Sequence, residues 1–392
     1  METLRIRFLS PRHPSDHSTG VAHVAARVSA VWAKQGHAVS VCFPRGPDDR
    51  ELPRTWEGVE AVPMEVRPRA HVPKSLEAET GRAFAREVER GADVAIANNE
   101  FGAFLPSRRQ GGASLGVVAL HGLALRFMQL ERATRRGLRP RAGFYADLRA
   151  VKQLERQAIE RADRVVAISH RVLEDAEATY GVQSGRARVI YNGTDPVRPA
   201  ETGERLNARA ALGLRDDERY AIVVGADAYR KGLDVAEAAV RRLRGEGRRV
   251  TLLEIGHAGP SEEGVVRLGR VSEERKRQVL LSGDVLLLPS RYEGFPGIAQ
   301  EAAALGLPLV ASRESGLDTG RPGEDFLEVP GSEPAAWAQA LLSLLGDETR
   351  RRRLAERGSK LLSERTWQAM ADDYLSMVRG EKDGAHPTVP PR

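Results

Sequence analysis

Short apolar, β-branched runs alternate with Ala- and Arg-rich stretches along the whole chain, and they do so in two series. The first series reads LRIRFLS (4–10), AVSVCFP (38–44), DVAIAN (93–98), SLGVVAL (114–120), RVVAIS (164–169) and RVIYNG (188–193). After the polar, turn-rich stretch GTDPVRPAETGE a second series runs YAIVVG (220–225), VTLLEIG (250–256), VVRLG (265–269), DVLLLPS (284–290), LPLVAS (307–312) and DFLEVP (325–330). Runs of this kind fit strands buried on both faces, and the helical stretches between them supply the crossovers that parallel pairing requires. Two complete series predict two doubly wound α/β domains, with ligands collected in a cleft at the carboxyl ends of the strands. The expected divisions are 1–195, 196–365, a helix at 366–380 returning to the first domain, and a polar, Pro-containing tail at 381–392 expected to be disordered.

Composition narrows the classes of function. A length of 392 residues exceeds one ordinary core, and 41% hydrophobic with 29% charged residues suits a soluble globular protein. The single cysteine, Cys42, excludes an intramolecular disulfide and a cysteine-rich zinc site, and reads as a buried thiol in a reducing compartment. No signal peptide is evident and no apolar run approaches the roughly 20 residues that span a bilayer, so a cytoplasmic protein is expected. The chain carries 60 Lys and Arg against 54 Asp and Glu. Arg126 to Arg156 alone holds nine bases and three acids, which accounts for the entire excess and leaves the remainder neutral. That is one local patch rather than the spread of charge a nucleic-acid coat requires. Phe127, Met128, Leu130, Leu138, Phe144, Tyr145 and Leu148 interleave with the bases. The segment therefore reads either as a peripheral contact with an anionic membrane or as a solvated helix pair, since Gly137 and Pro140 break any continuous amphipathic helix.

The stretch SRYEGFPGIAQEAAALGLPLVAS (290–312) carries the chemistry. DVLLLPS is a strand, RYEGFPG the loop at its carboxyl end, and IAQEAAAL a helix. Pro296 and Gly297 stand where that helix begins, so the first-turn N–H groups are available to ligand oxygens. Glu293 before the turn and Glu301 within the helix can border one ligand; alternatively, Glu293 caps the helix and Glu301 is solvated.

This stretch resembles the E-x7-E signature of retaining glycosyltransferases of family 4, in its E-G-F-P variant. Further pieces follow in the family's order: STGVAHVAARVSAVWAKQGHAVSV with Gly20, VALHG with His121, ERADRVVAISHRV, VIYNGTD, Lys231-Gly232 after YAIVVG, LEIG, and TWQAMADDY. The resemblance implies a GT-B fold of two Rossmann-like domains facing across a cleft, the nucleotide sugar held mostly by the second and the acceptor mostly by the first. It assigns Glu301 to the ribose hydroxyls, Glu293 to the donor sugar, and the backbone from Phe295 through Pro296 and Gly297 to Ile298 to completing that grip. Lys231 would face the departing diphosphate, His121 the reacting sugar, and Gly20 a close approach of the first loop, with an ordinary tight turn as its alternative. The family pattern G-R-L-x-x-x-K-G departs here to GADAYRKG, with Ala226 in the arginine's place. Arg230 is the candidate substitute, solvated surface its alternative. No Asp-x-Asp stands at a strand end, so a metal-independent enzyme without cofactor is expected, its donor a UDP- or GDP-sugar. His13, Asp16, His17, Asn98, Asn99 and Glu100 are acceptor-side candidates only, with surface loop as the first reading. The acceptor is expected to be a cell-envelope glycan or lipid carrier, alternatively a small natural product. An epimerase or phosphorylase of the same fold, or a non-catalytic sugar-nucleotide binder, are the competing readings.

Overall fold

The computed structural model describes residues 2–16, 19–46, 52–70, 72, 74–134, 142–198, 200–201 and 203–381. The described residues divide into two units, one running to Gly193 and taking in 366–381, the other Thr194–Arg365. The expected tail from Lys382 lies outside the described residues.

The first unit holds strands β1 (Arg5–Leu9), β2 (Ala38–Pro44), β3 (Thr55–Trp56), β4 (Val59–Met64), β5 (Val94–Asn98), β6 (Leu115–Leu120), β7 (Arg164–Ala167) and β8 (Ala187–Val189). Its helices are α1 (Gly20–Lys34), α2 (Ser75–Glu89), α3 (Ala124–Thr134), α4 (Ala142–Arg161) and α5 (His170–Tyr180), to which α12 (Trp367–Arg379) is added from the far end of the chain. The sheet order is β3-β4-β2-β1-β5-β6-β7-β8, parallel throughout except for β3 against β4. Sequence reading found the six apolar runs but not β3 and β4. VEAVPM alternates buried and accessible residues and contains Pro63, so it lacks the continuous apolar signature of the other strands.

The second unit holds β9 (Arg219–Val224), β10 (Val250–Ile255), β11 (Val265–Arg267), β12 (Val285–Leu288), β13 (Leu309–Ala311) and β14 (Leu327–Glu328). Its helices are α6 (Glu204–Ala211), α7 (Leu233–Gly245), α8 (Glu273–Ser282), α9 (Gly297–Ala304), α10 (Pro334–Leu345) and α11 (Glu348–Ser363). Here the order is β11-β10-β9-β12-β13-β14, all parallel. The order reverses between β9 and β12, and in the first unit between β1 and β5. Loops leaving adjacent strands at such a point diverge to opposite faces and open a crevice at the carboxyl end of the sheet.

Each unit has its own core. In the first, Phe8, Val28, Trp32, Val41, Ile96 and Val117 meet Met370, Ala371, Tyr374 and Leu375 of α12. Trp32 Nε1 donates to the Ala371 carbonyl at 3.1 Å, and the Trp32 and Tyr374 rings stand 5.6 Å apart, edge to face. Burying each such side chain contributes about 1.5 to 3 kcal/mol, enough to hold α12 on α1. Gly193 admits that helix, because a Cβ there would lie 2.7 Å from the Trp367 Cα. In the second unit Val223, Leu233, Val240, Leu252, Leu287, Val310, Trp337 and Leu341 form the interior.

Candidate functional site

At the switch point of the second unit the loop after β9 and the loop after β12 lie against each other. Gly232 makes this possible: it has φ +68°, and a Cβ would sit 2.0 Å from the Pro289 carbonyl oxygen. Arg291 then fastens the two loops. Its guanidinium donates to the Tyr229 carbonyl at 2.7 Å and to both Asp234 oxygens at 2.7 Å, and it lies 4.0 Å from the Tyr229 ring centroid. Arg291, Tyr229 and Asp234 were not singled out from the sequence; the only available signal was an arginine beside the E-G-F-P turn.

The clamp brings the sequence candidates together. Glu293 is 7% exposed, and its Oε1 accepts from Arg230 Nη1 at 3.1 Å and from Lys231 Nζ. Its Oε2 takes a long hydrogen bond of 3.3 Å from the Ser290 hydroxyl. Arg230 is fixed from its other side by Asp227, which accepts from the Arg230 backbone N–H and from Nε, both at 3.1 Å. Arg230 thus points into the same group as Lys231, whereas Ala226 is exposed. The helix-capping alternative for Glu293 does not hold. Pro296 occupies the N-cap of α9, with no side-chain hydrogen bond, while the Glu293 carboxylate is taken up by the two cations. Pro296 itself has no N–H, so the donors of that turn are those of Gly297 and Ile298. A Cβ on Gly297 would meet nothing within 4 Å, which leaves the helix start open to a ligand. Glu301, within α9, is not simply solvated: Lys276 of α8 reaches its Oε2 at 2.8 Å. Lys276 carried no sequence signal, being one charge among many in EERKRQ.

In the first unit, His121 follows β6. Its Nε2 lies 3.0 Å from Asn98 Oδ1, and its backbone N–H donates to Asn99 Oδ1 at 2.9 Å. The Asn98 amide is oriented by its own donation to the Leu9 carbonyl at 2.7 Å. Nε2 therefore carries the proton and Nδ1 the lone pair. Burial pushes the imidazole down to about 4, so it is neutral at neutral pH. Gly20 opens α1, with Thr19 Oγ1 accepting from Ala22 N–H at 3.2 Å. It lacks a positive φ and a Cβ there would meet nothing, so a tight turn is not what calls for glycine.

Of the other acceptor-side candidates, His13 and Glu100 are buried. His13 is 2% exposed, with its ring nitrogens engaged by Ser15 Oγ at 2.7 Å and the Pro53 carbonyl at 2.9 Å, and it anchors its loop. Glu100 is buried, and burial followed by repulsion from Glu155 raises its carboxyl to about 7. His17 lies outside the described residues. In the basic segment Glu155 is likewise interior. It accepts from Ala124 and Leu125 N–H at 2.6 and 3.2 Å, capping α3, and from the Tyr180 hydroxyl at 2.6 Å. Arg126, Arg132, Arg149, Lys152 and Arg156 are exposed, as is Tyr145. Leu138 and Arg135, Arg136, Arg139 and Arg141 lie outside the described residues. Among the described residues no helix is long and apolar enough to cross a membrane. A cavity of about 780 Å³ lined by Arg205, Arg219, Asp284 and Arg351 lies at the amino ends of β9 and β12, away from the Glu293 group.

Residues 18–198 match the model of Glycosyltransferase Family 4, and residues 218–347 that of Glycosyl transferases group 1. Both models are of glycosyltransferases, one matching mainly the first unit and the other lying within the second. A curated relative, D-inositol 3-phosphate glycosyltransferase of Nocardia farcinica, is 34% identical over 243 residues, covering 56% of this chain and 53% of the relative. The chain thus spans about half the length of the curated relatives it matches. Solved structures show the fold to be GT-B. Sucrose-phosphate synthase from Thermosynechococcus elongatus superposes with a TM-score of 0.77 at 22% identity, covering 96% of this chain and 98% of that one. Anabaena HepE, in complex with UDP and glucose, superposes with a TM-score of 0.70 at 16% identity, covering 97% and 100%.

Proposed function

We propose that this chain is a retaining, metal-independent glycosyltransferase of family 4 that moves a sugar from a nucleotide diphosphate sugar to a cell-envelope glycan or lipid-linked acceptor on the cytoplasmic side of the membrane. The observation that carries the reading is the convergence of Lys231, Arg230 and Glu293 beside the open start of α9, with Glu301 eight positions beyond Glu293.

When the bond from the anomeric carbon to the diphosphate breaks, negative charge gathers on the leaving oxygen. Lys231 and Arg230 supply positive charge to it without a metal, and the N–H groups of Gly297 and Ile298 add their dipoles. Glu293 holds both cations through Oε1, leaving Oε2, bonded only weakly, to accept from a donor-sugar hydroxyl. Neutral His121 serves as a hydrogen-bonding contact to the transferred sugar through Nδ1 and is not an acid at neutral pH. The acceptor hydroxyl attacks from the face the diphosphate leaves, and its proton passes to the departing phosphate oxygen, which gives retention. UDP is favoured as the donor nucleotide because HepE is solved with UDP and with UDP-glucose.

A second acceptor reading is favoured by the Nocardia relative, named for D-inositol 3-phosphate: a small phosphorylated polyol. A membrane contact through α3 and α4 rests on their exposed bases and Tyr145, and separates the two. Incubation with a panel of UDP- and GDP-sugars tests the activity. Release of free nucleotide from one of them supports transfer, and binding without turnover supports a non-catalytic binder.

A further inference from the structure

We infer that Lys276 is a positioning residue for the donor nucleoside, holding the Glu301 carboxylate in the orientation that receives the ribose hydroxyls. The inference rests on the reading of Glu301 as the ribose contact.

Lys276 lies on α8, whose start is capped by the Ser272 hydroxyl accepting from Arg275 N–H at 3.2 Å. It precedes buried Val279 and Leu280 by three and four positions, so it belongs to the face that packs inward. An apolar residue would ordinarily stand there. Its side chain is 17% accessible, and Nζ makes two hydrogen-bonded ion pairs, to Glu273 Oε2 at 2.7 Å and to Glu301 Oε2 at 2.8 Å. The two partners differ. Glu273 is 88% accessible, so its pair is a surface contact of little consequence. Glu301 is 32% accessible and belongs to a different helix, so its pair ties α8 to α9 at the proposed ligand-facing side chain. Burial opposes the ammonium most strongly, yet its hydrogen bonds to Glu273 and Glu301 outweigh that and raise its pKa.

The consequence follows from how a carboxylate binds a diol. An unrestrained glutamate must give up rotamer freedom when its ligand arrives, which weakens binding. Lys276 takes Oε2 beforehand, fixes the plane of the carboxylate and leaves Oε1 to accept from a hydroxyl. A lysine here therefore sharpens discrimination for ribose rather than affinity for phosphate.

The test measures binding of UDP and of 2′-deoxy-UDP to the full chain by calorimetry, or of GDP and 2′-deoxy-GDP if GDP is the nucleotide bound. The parent should prefer the ribonucleotide. Lys276→Met should weaken the ribonucleotide about tenfold, leave the deoxynucleotide within about twofold, and so abolish the preference; Lys276→Arg should restore most of it. Equal weakening of both ligands, or an unchanged preference in Lys276→Met, overturns the inference. Glu301→Gln separates the two levels: if it keeps the parental preference, the ribose reading falls and the Lys276 inference with it. If Glu301→Gln loses the preference while Lys276→Met keeps it, the Lys276 inference alone falls.

Discussion

Glu293 is the residue on which the proposed donor site turns, because one of its oxygens holds both cations of the loop after β9. Removing a charged hydrogen-bonding partner in such a setting costs about 1.5 to 3 kcal/mol, roughly ten- to a hundredfold in turnover. Glu293→Ala should therefore mainly lower kcat, while Glu301→Ala mainly weakens nucleotide binding, both read from steady-state kinetics and calorimetry. Arg230→Ala should impair turnover nearly as much as Lys231→Ala, and adding Ala226→Arg to Arg230→Ala should restore part of it. Full activity in Arg230→Ala would leave the diphosphate to Lys231 and the start of α9. His121 gives a pH signature. Its folded pKa of about 4 lies below the 6.5 of an unperturbed histidine, so between those values the unfolded chain binds a proton that the folded chain excludes. Stability is whole above pH 6.5 and is lost as pH falls through about 4, by about 3 kcal/mol. His121→Gln should flatten that part of a denaturation-versus-pH curve.

At the scale of elements, the carboxyl ends of β9 and β12 set the site. Both strands were legible in the sequence as apolar runs, and the turn after β12 was legible as E-G-F-P. What was hidden has a physical cause. Glu155 looked like one acid among nine bases, yet it is interior because it satisfies three donors at once. Glu155→Ala should cost about 2 to 4 kcal/mol in chemical denaturation, since two backbone N–H groups and the Tyr180 hydroxyl lose their acceptor. Lys276 and Arg291 were equally illegible, because their roles depend on which loop or helix lies opposite, and spacing along one element does not record that. On β10, Glu254 is fully buried beside Glu237 and Arg267, which in turn pair with Arg241 and Glu262, and burial first and Glu237 second raise its carboxyl to about 7. The folded chain keeps this proton at a pH where the unfolded chain, with an ordinary glutamate near 4.5, has released it. Stability from this group is therefore highest below pH 4.5 and falls as pH rises through about 7. Glu254→Gln should remove the fall, seen as a smaller loss of stability between pH 5 and pH 8 than in the parent.

For the whole molecule, the two-series pattern of apolar runs was enough to predict two doubly wound units, and the GT-B relatives share that architecture. The acceptor was not legible, because hydroxyl-bearing acceptors are bound by loop contacts that leave no fixed residue code. If the acceptor is lipid-linked, the protein should sediment with anionic vesicles at low salt and be released as salt is raised. Replacing Arg132, Arg149, Lys152 and Arg156 by Gln should prevent sedimentation and leave donor binding intact; a parent that stays in the supernatant at low salt points to a small soluble acceptor. The central claim, transfer from a nucleotide sugar driven by side-chain cations, is tested most directly by nucleotide release from a UDP-sugar panel with a metal chelator present. Release from at least one donor, unchanged by the chelator and reduced ten- to a hundredfold in Lys231→Ala, is the predicted result. Donor bound by the parent with no nucleotide released, or release that stops when the chelator is added, would contradict it.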